Sequence, residues 1–228
     1  MAKDLEENGA VFIKHGETSQ SISLSDLFTL KDETVTPVLK SADPPVRANV
    51  LYLSTQYSVP ISMFHASHHI APVPATETEI EAEANAVKAV AESICPLHIV
   101  LDRVVLTSTG VLLGCWQVVS GSDPVTIRAK LKAALPRAPQ KQLYNEAMLH
   151  TSLARLLGPP NKLPELLEES KISELQIFQD LVNRLNNQIR GLKATVSELW
   201  YVEEYDLLAL AVNGNMKTRK FKLGCSEA

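Results

Sequence analysis

A histidine and a serine stand two positions apart at His150 and Ser152, inside the segment 149–156, which we interpret as a β-strand. Because successive side chains of a strand point to opposite faces, these two share one face, and Thr151 points to the other. An imidazole can transfer a proton near neutral pH, and a hydroxyl can donate a hydrogen bond to a phosphoryl oxygen. The pair therefore predicts half of a phosphate-handling site. The alternative interpretation is a buried structural histidine with hydrogen-bonded ring nitrogens.

A second pair with the same spacing, His65 and Ser67, lies in the apolar run 59–70 and is the candidate for the other half of the site. The spacing by itself is weakly diagnostic, so the context of the two segments matters more. His68 and His69 follow closely, which raises the question of a metal site. No acidic residue or cysteine stands at ligand spacing, so the sequence predicts no metal there.

The elements that would position these residues can be predicted from the apolar pattern. The runs 46–53 and 59–70 are predicted strands, and the link between them is too short for a crossover helix, so they can pair only as a hairpin. A capping-box pattern at Thr76 and Glu79 begins an amphipathic helix that Pro96 ends. The runs 97–107 and 111–119 predict a second hairpin.

The later part of the chain continues the mixture of helices and strands. Asp123 and Pro124 have the pattern of a helix start, and apolar residues spaced three and four apart predict a long helix over 172–190. Strands are predicted at 195–202, 207–212 and 216–223, with a hairpin turn at Asn213-Gly214. A short strand is also predicted at 11–13. The pattern indicates an α+β fold with antiparallel sheets and packed helices.

Composition restricts the classes of protein. The 228 residues are 45% hydrophobic and 21% charged with a net charge of −4, which is typical of a globular domain and argues against general attraction to nucleic acid. No apolar run approaches the roughly 20 residues of a membrane-spanning helix, and the acidic N-terminus is unlike a secretory signal. Cys95, Cys115 and Cys225 are odd in number and widely spaced, which favours reduced thiols. We therefore expect a cytoplasmic protein without membrane attachment, with the nucleus as the alternative.

Several stretches together resemble one known family. The similar stretches are 65–70, 72–77, 101–110, 149–155 and 197–205, within a match over about 46–223. They resemble the 2H phosphoesterase superfamily, in particular the plant branch of the RNA ligase/cyclic nucleotide phosphodiesterase proteins. The resemblance implies a bilobal α+β fold for 46–228, with 1–45 as an N-terminal extension. It also implies two His-x-Thr/Ser-x motifs on facing strands and no metal or other cofactor.

The resemblance implies a division of labour among the site residues. His150 and His65 would act as general acid and base on the 2′,3′-cyclic phosphate of a nucleotide or RNA end, with the hydroxyls of Ser152 and Ser67 holding phosphate oxygens. In related sequences the first motif ends in Ser-Met, which here corresponds to 62–63 and puts Pro60 at the histidine position. The missing crossover helix before this point suggests that a segment is absent, as in a shortened isoform.

Three functions are therefore compared. The first is a cyclic phosphodiesterase, and the second is a catalytically impaired RNA- or nucleotide-binding module that has lost the first motif. The third is a structural interaction protein that uses the 172–190 helix. The basic segment near the C-terminus has two interpretations. Its charges fit either a protected sheet edge or a guide for an RNA backbone. Its residues are Lys217, Arg219, Lys220 and Lys222.

Overall fold

The computed structural model describes residues 27–31, 34–53, 60–107, 109–156 and 174–225. The strand predicted at 11–13 lies outside these residues. Within them the chain forms nine strands and four helices. In chain order they are β1 (Phe28–Lys31), β2 (Thr34–Pro37), β3 (Ser41–Leu53), β4 (Pro60–Ser67), α1 (Glu77–Glu92), β5 (Leu97–Leu106), β6 (Val111–Ser120), α2 (Pro124–Ala134), β7 (Leu149–Arg155), α3 (Glu174–Ile189), β8 (Lys193–Asp206), α4 (Ala209–Val212) and β9 (Met216–Lys222).

Seven of these strands form one sheet in the order β4-β3-β8-β5-β6-β7, with β9 also paired to β8. The pairings of β3 with β4, β3 with β8, β5 with β8 and β8 with β9 are antiparallel. Strands β1 and β2 form a separate antiparallel pair. The α+β class and two of the three predicted hairpins, β3–β4 and β5–β6, are confirmed. The hairpin turn predicted at Asn213-Gly214 is wrong, because Asn213 caps the helix α4, so a helix and not a strand directly precedes it.

The chain divides into two compact units. The larger comprises Leu39–Val100, Trp116–Thr151 and Lys193–Ala228, and the smaller comprises Met1–Val38, Leu101–Cys115 and Ser152–Leu192. The division into an N-terminal extension over 1–45 and one domain over 46–228 stays a prediction.

The helix α1 forms for the reasons that its sequence suggests. The Thr76 hydroxyl accepts a hydrogen bond from the Glu79 N–H (3.3 Å), and the Glu79 carboxylate accepts one from the Thr76 N–H (2.7 Å). This reciprocal cap satisfies two N–H groups that the first helical turn leaves without partners. The apolar stripe, which includes Ala84 and Val87, is fully buried in the core of the larger unit.

The smaller unit has its own apolar cluster, centred on Leu106 of β5 and Phe178 of α3. The Asn186 side chain fixes α3 to β5 by accepting from the Val104 N–H (2.7 Å) and donating to the Val104 carbonyl (2.9 Å). The predicted long helix is confirmed, and it packs against β5. No helix in the described ranges is both long enough and apolar enough to cross a membrane.

The strand predicted at 207–212 is wrong. Strand β8 continues to Asp206 because β3 and β9 pair along its two sides, and the apolar residues that follow form the short helix α4. Leu208 has a positive φ of 58° at the turn, and the Glu204 carboxylate accepts a hydrogen bond from the Leu210 N–H (2.7 Å). An apolar run of six residues does not distinguish a strand from a helical turn.

The prediction of reduced thiols is wrong for Cys95 and Cys225, which form a disulfide. The end of β9 runs beside the end of α1, where the Gly224 N–H donates to the Ala91 carbonyl (3.2 Å), and this brings the two Cα atoms to 4.5 Å. The pairing joins residues 130 positions apart, which spacing in the sequence cannot reveal. Cys115 remains a free cysteine.

Candidate functional site

Strand β4 contains two register shifts that decide where its side chains point. Its pairing with β3 shifts between Arg47 and Ala48 and again between Asn49 and Val50, so β4 carries one extra residue at each place. Side chains directly opposite each other in an antiparallel pair lie on the same face. The pairs on one face are Tyr52–Pro60, Val50–Ser62 and Ala48–His65.

The shifts bring His65 onto the face that carries Pro60 and Ser62, although a regular strand would put residues 60 and 65 on opposite faces. Ser67 is opposite Arg47 and therefore points to the other face. Its hydroxyl is buried and accepts a hydrogen bond from the Val73 N–H (3.0 Å). The structure thus places His65 with Ser62 and not with Ser67.

On β7, His150 and Thr151 are both buried, and they point to opposite faces as expected. The Thr151 hydroxyl accepts a hydrogen bond from the indole Nε1 of Trp116 (3.2 Å), which packs on the main core. Ser152 is exposed and begins the part of the strand that belongs to the smaller unit.

The ring of Tyr144 contacts both imidazoles. Its centroid lies 5.9 Å from that of His65 and 4.9 Å from that of His150, so the two imidazoles cannot be farther apart than the sum of these distances. Tyr144 lies in the polar segment before β7 and is not among the residues that the sequence predicts for the site. An aromatic residue in a polar loop next to a candidate histidine was the available signal.

The same loop fixes the backbone of β4. The side-chain amide of Gln142 accepts from the His65 N–H (2.7 Å) and donates to the His65 carbonyl (3.1 Å). These are the hydrogen bonds that a neighbouring strand would make, and they hold the edge of β4 at the candidate histidine. Gln142 also donates to the Pro139 carbonyl (2.9 Å), which shapes its own loop.

Arg128 of α2 connects the segments that carry the two histidines. Its guanidinium donates to the carbonyls of Ser62 and Met63 on β4 and to those of Glu146 and Met148 before β7. The side chain is buried, and all four of these acceptors are backbone oxygens. Arg128 was not among the candidate residues because no pattern in the sequence marks an arginine with this role.

Burial controls the protonation of both imidazoles. His65 is 6% exposed, and burial together with the nearby His68 and His69 lowers its pKa to about 3. The pKa of His150 is also lowered, first by burial and then by the positive charge of Arg128. Both rings are therefore neutral at pH 7 before any ligand binds. The Nδ1 atom of each is buried without a hydrogen-bond partner in the described structure.

His68 differs from these two because its ring is fully engaged. The Ala71 N–H donates to its Nδ1 (3.1 Å), so the proton sits on Nε2, which donates to the Lys141 carbonyl (3.1 Å). This arrangement leaves no ring lone pair for a metal ion. Among the residues that the structure describes, no group of three or more His, Cys, Asp or Glu side chains could hold a metal ion.

The basic residues of β9 make different contacts on the two faces of the strand. Arg219 forms ion pairs with Glu203 and Glu81, and Lys217 lies 3.9 Å from Glu203. The exposed Lys220 lies on the other face, with its Nζ 4.2 Å from the ring centroid of Trp200. Tyr52 stacks on the same indole at 3.9 Å. In the sheet β9 pairs with β8, so the charges fit a protected edge.

Comparison with known proteins adds no assignment, since no family model and no curated protein matches the chain. The candidate site therefore depends on its geometry. That geometry consists of two buried neutral imidazoles, a tyrosine ring against both, and a buried arginine that binds both of their segments.

Proposed function

We propose that this chain is a 2H-type phosphoesterase, with the bilobal fold of that superfamily, that hydrolyses the 2′,3′-cyclic phosphate of nucleotides or RNA ends. The observation that supports this most directly is the pair of imidazoles at Tyr144, each with an Nδ1 atom that has no partner in the described residues. A buried polar atom without a partner is uncommon and is compatible with a ligand that completes it. The buried charge of Arg128 favours an anionic ligand.

The different environments of the imidazoles suggest their roles. His65, with a pKa of about 3, is neutral before a ligand binds, and it would accept a proton from the attacking water only once the bound phosphate anion has raised that pKa. His150 would protonate the leaving ribose oxygen. A bound phosphate anion stabilises the charged imidazole and so raises its pKa, which supplies the proton that His150 needs. Ser62, on the face of His65, and Ser152 would donate to the non-bridging oxygens.

The alternative is a nucleotide- or RNA-binding module without turnover. Two observations favour it: Pro60 occupies the histidine position of the resembling family, and both imidazoles are nearly excluded from solvent. A pair of neutral imidazoles can donate hydrogen bonds to a phosphate without transferring protons.

Hydrolysis of a 2′,3′-cyclic nucleotide by the wild type, His150→Gln and His65→Gln tests the proposal. We expect each substitution to lower kcat by about 10²–10⁴-fold, the usual contribution of a general acid or base. His98→Gln is the matched control, because His98 is exposed on β5 and its Nδ1 lies 3.3 Å from the Thr195 hydroxyl, with no part in the candidate site. We expect it to keep wild-type activity.

Equal rates for wild type and His150→Gln, or no turnover by either, would refute the enzyme. Fluorescence anisotropy with a labelled oligonucleotide ending in a 3′-phosphate then examines the alternative. Binding by the wild type that both histidine variants lose would support the binding module.

A further inference from the structure

The strands that carry the two histidines lie at opposite ends of the strand order. In the described sheet β4 is paired with β3 and β7 with β6, so the ladder hydrogen bonds do not join β4 to β7. Contacts other than strand pairing must therefore set the distance between β4 and β7. A site in which two imidazoles act on one phosphoryl group needs that separation to be held within a fraction of an ångström.

The guanidinium of Arg128 makes this connection. Its Nε donates to the Met63 carbonyl (2.9 Å), two residues before His65, and its Nη2 donates to the Met148 carbonyl (2.9 Å), two residues before His150. Because the guanidinium is planar and rigid, hydrogen bonds from its different nitrogens fix the distance between the two backbones. A lysine has one nitrogen at this place and could not reach all four carbonyls.

We propose that Arg128 is a positioning residue that sets the spacing of the His65 and His150 imidazoles by bonding the backbone of both segments at once. This inference rests on the proposed function for its catalytic meaning, although the positioning itself can be measured in a protein without activity. Arg128 acts through the histidines and is not proposed to contact the substrate.

The charge of Arg128 gives a second, separable effect. It lies close enough to His150 to disfavour the protonated imidazole, which contributes to the lowered pKa of that histidine. A purely structural arginine would affect stability alone. A positioning residue should in addition change the contacts of the two imidazoles and the titration of His150.

The experiment compares Arg128→Lys, which keeps the charge but not the fork of donors, with Arg128→Gln, which keeps neither. Arg137→Gln is the matched control, because Arg137 is 40% exposed and pairs with Glu79. NMR measures the cross-relaxation between the Tyr144 ring protons and the two imidazoles, and the pKa of His150. Steady-state kinetics on a 2′,3′-cyclic nucleotide gives kcat and KM.

We expect both Arg128 variants to lose at least one of the two Tyr144–imidazole contacts and to lower kcat at least tenfold. The pKa of His150 should rise in Arg128→Gln and stay low in Arg128→Lys. KM should rise in Arg128→Gln alone. Arg137→Gln should match the wild type in every measurement. If Arg128→Gln does not fold, the ring contacts and kcat of Arg128→Lys decide the question.

Unchanged ring contacts in a folded Arg128→Lys protein would overturn the proposal, whatever the activity. Changed contacts in a protein whose wild type shows no turnover would support the positioning role and count against the phosphoesterase. If the wild type hydrolyses the substrate and both Arg128 variants keep its kcat, the result would support the phosphoesterase and count against the positioning role.

Discussion

A buried imidazole is ordinarily stabilised by hydrogen bonds at its ring nitrogens, and His68 satisfies that expectation whereas His65 does not. The His68 ring accepts from one backbone N–H and donates to one backbone carbonyl. His65 and His150 are buried to the same degree, yet each has an Nδ1 atom without a partner among the described residues. The loss of hydration is therefore not compensated at these two atoms, which is a cost that folding alone does not explain.

The lowered pKa of His65 predicts a specific pH dependence of stability. Its folded pKa of about 3 lies below the ordinary value of 6.5, so the native state binds fewer protons than the unfolded state between these pH values. The contribution is fully present above pH 6.5 and is lost as the pH falls towards 3. Within that window we expect it to lower the free energy of unfolding by about 1.4 kcal/mol per pH unit.

Urea unfolding at several pH values between 4 and 6 measures this effect. The wild type should lose stability more steeply than His65→Gln, which has no titrating group at this position, while His98→Gln should follow the wild type. Parallel curves for wild type and His65→Gln would contradict the buried neutral state of His65.

The two serines of the predicted motifs should behave differently. Ser67→Ala removes the acceptor for the Val73 N–H, so we expect it to lower the free energy of unfolding by about 1 kcal/mol and to leave kcat unchanged. Ser152→Ala should lower kcat with little effect on stability, because Ser152 is exposed. Measuring both quantities for both variants tests the assignment. A loss of kcat in Ser67→Ala would show that the face of Ser67 is functional after all.

At the scale of elements, α1 is attached to the sheet by a buried charge network as well as by apolar contacts. The Arg47 side chain is 1% exposed and forms two hydrogen bonds with the Glu83 carboxylate of α1, at 2.8 and 3.3 Å. The Tyr201 hydroxyl of β8 donates to the same carboxylate (2.7 Å). Burial and this neighbouring carboxylate raise the pKa of Tyr201, so its hydroxyl remains a donor.

Breaking this network should be costly because it leaves one buried charge unpaired. We expect Arg47→Met to lower the free energy of unfolding by about 3–5 kcal/mol. The double variant Arg47→Met/Glu83→Gln should lose less than the two single variants combined, since the two side chains interact directly. Chemical denaturation measures both. Lys88→Met is the control, since the Lys88–Glu92 pair at 4.0 Å is exposed and should contribute less than about 0.5 kcal/mol. Strict additivity of the single variants would contradict the coupling.

At the scale of the whole molecule, periodicity in the sequence predicted most elements but not the contacts that complete the site. The capping box, the long helix and the β3–β4 and β5–β6 hairpins follow from local patterns and are present. The extra residues in β4 could not be predicted, because a bulge leaves no reliable trace in a short apolar run. Because of these extra residues, Ser62 lies on the same face as His65, whereas Ser67 points to the other face.

The remaining parts of the site depend on contacts between distant segments. Gln142 is 77 residues from His65, and Arg128 is 65 residues from Met63. Neither side chain belongs to a motif, and each acts through backbone atoms that any sequence would supply. The candidate histidines could therefore be found from residue type and spacing, while the residues that hold them in place required the fold.

The disulfide between Cys95 and Cys225 is a further long-range contact, and it predicts how the redox state changes stability. It closes a loop of 130 residues, and constraints of this kind stabilise a protein by roughly 2–4 kcal/mol, mainly by restricting the unfolded chain. We expect a reducing agent to lower the free energy of unfolding of the wild type by about that amount. Cys225→Ser should show the same loss without reductant and no further loss with it. Cys115→Ser should respond to reductant as the wild type does, because Cys115 is not paired. An intact mass that shows three thiols in protein purified without reductant would contradict the pairing. In a reducing compartment such as the cytosol, the less stable dithiol form would be the working state of the protein.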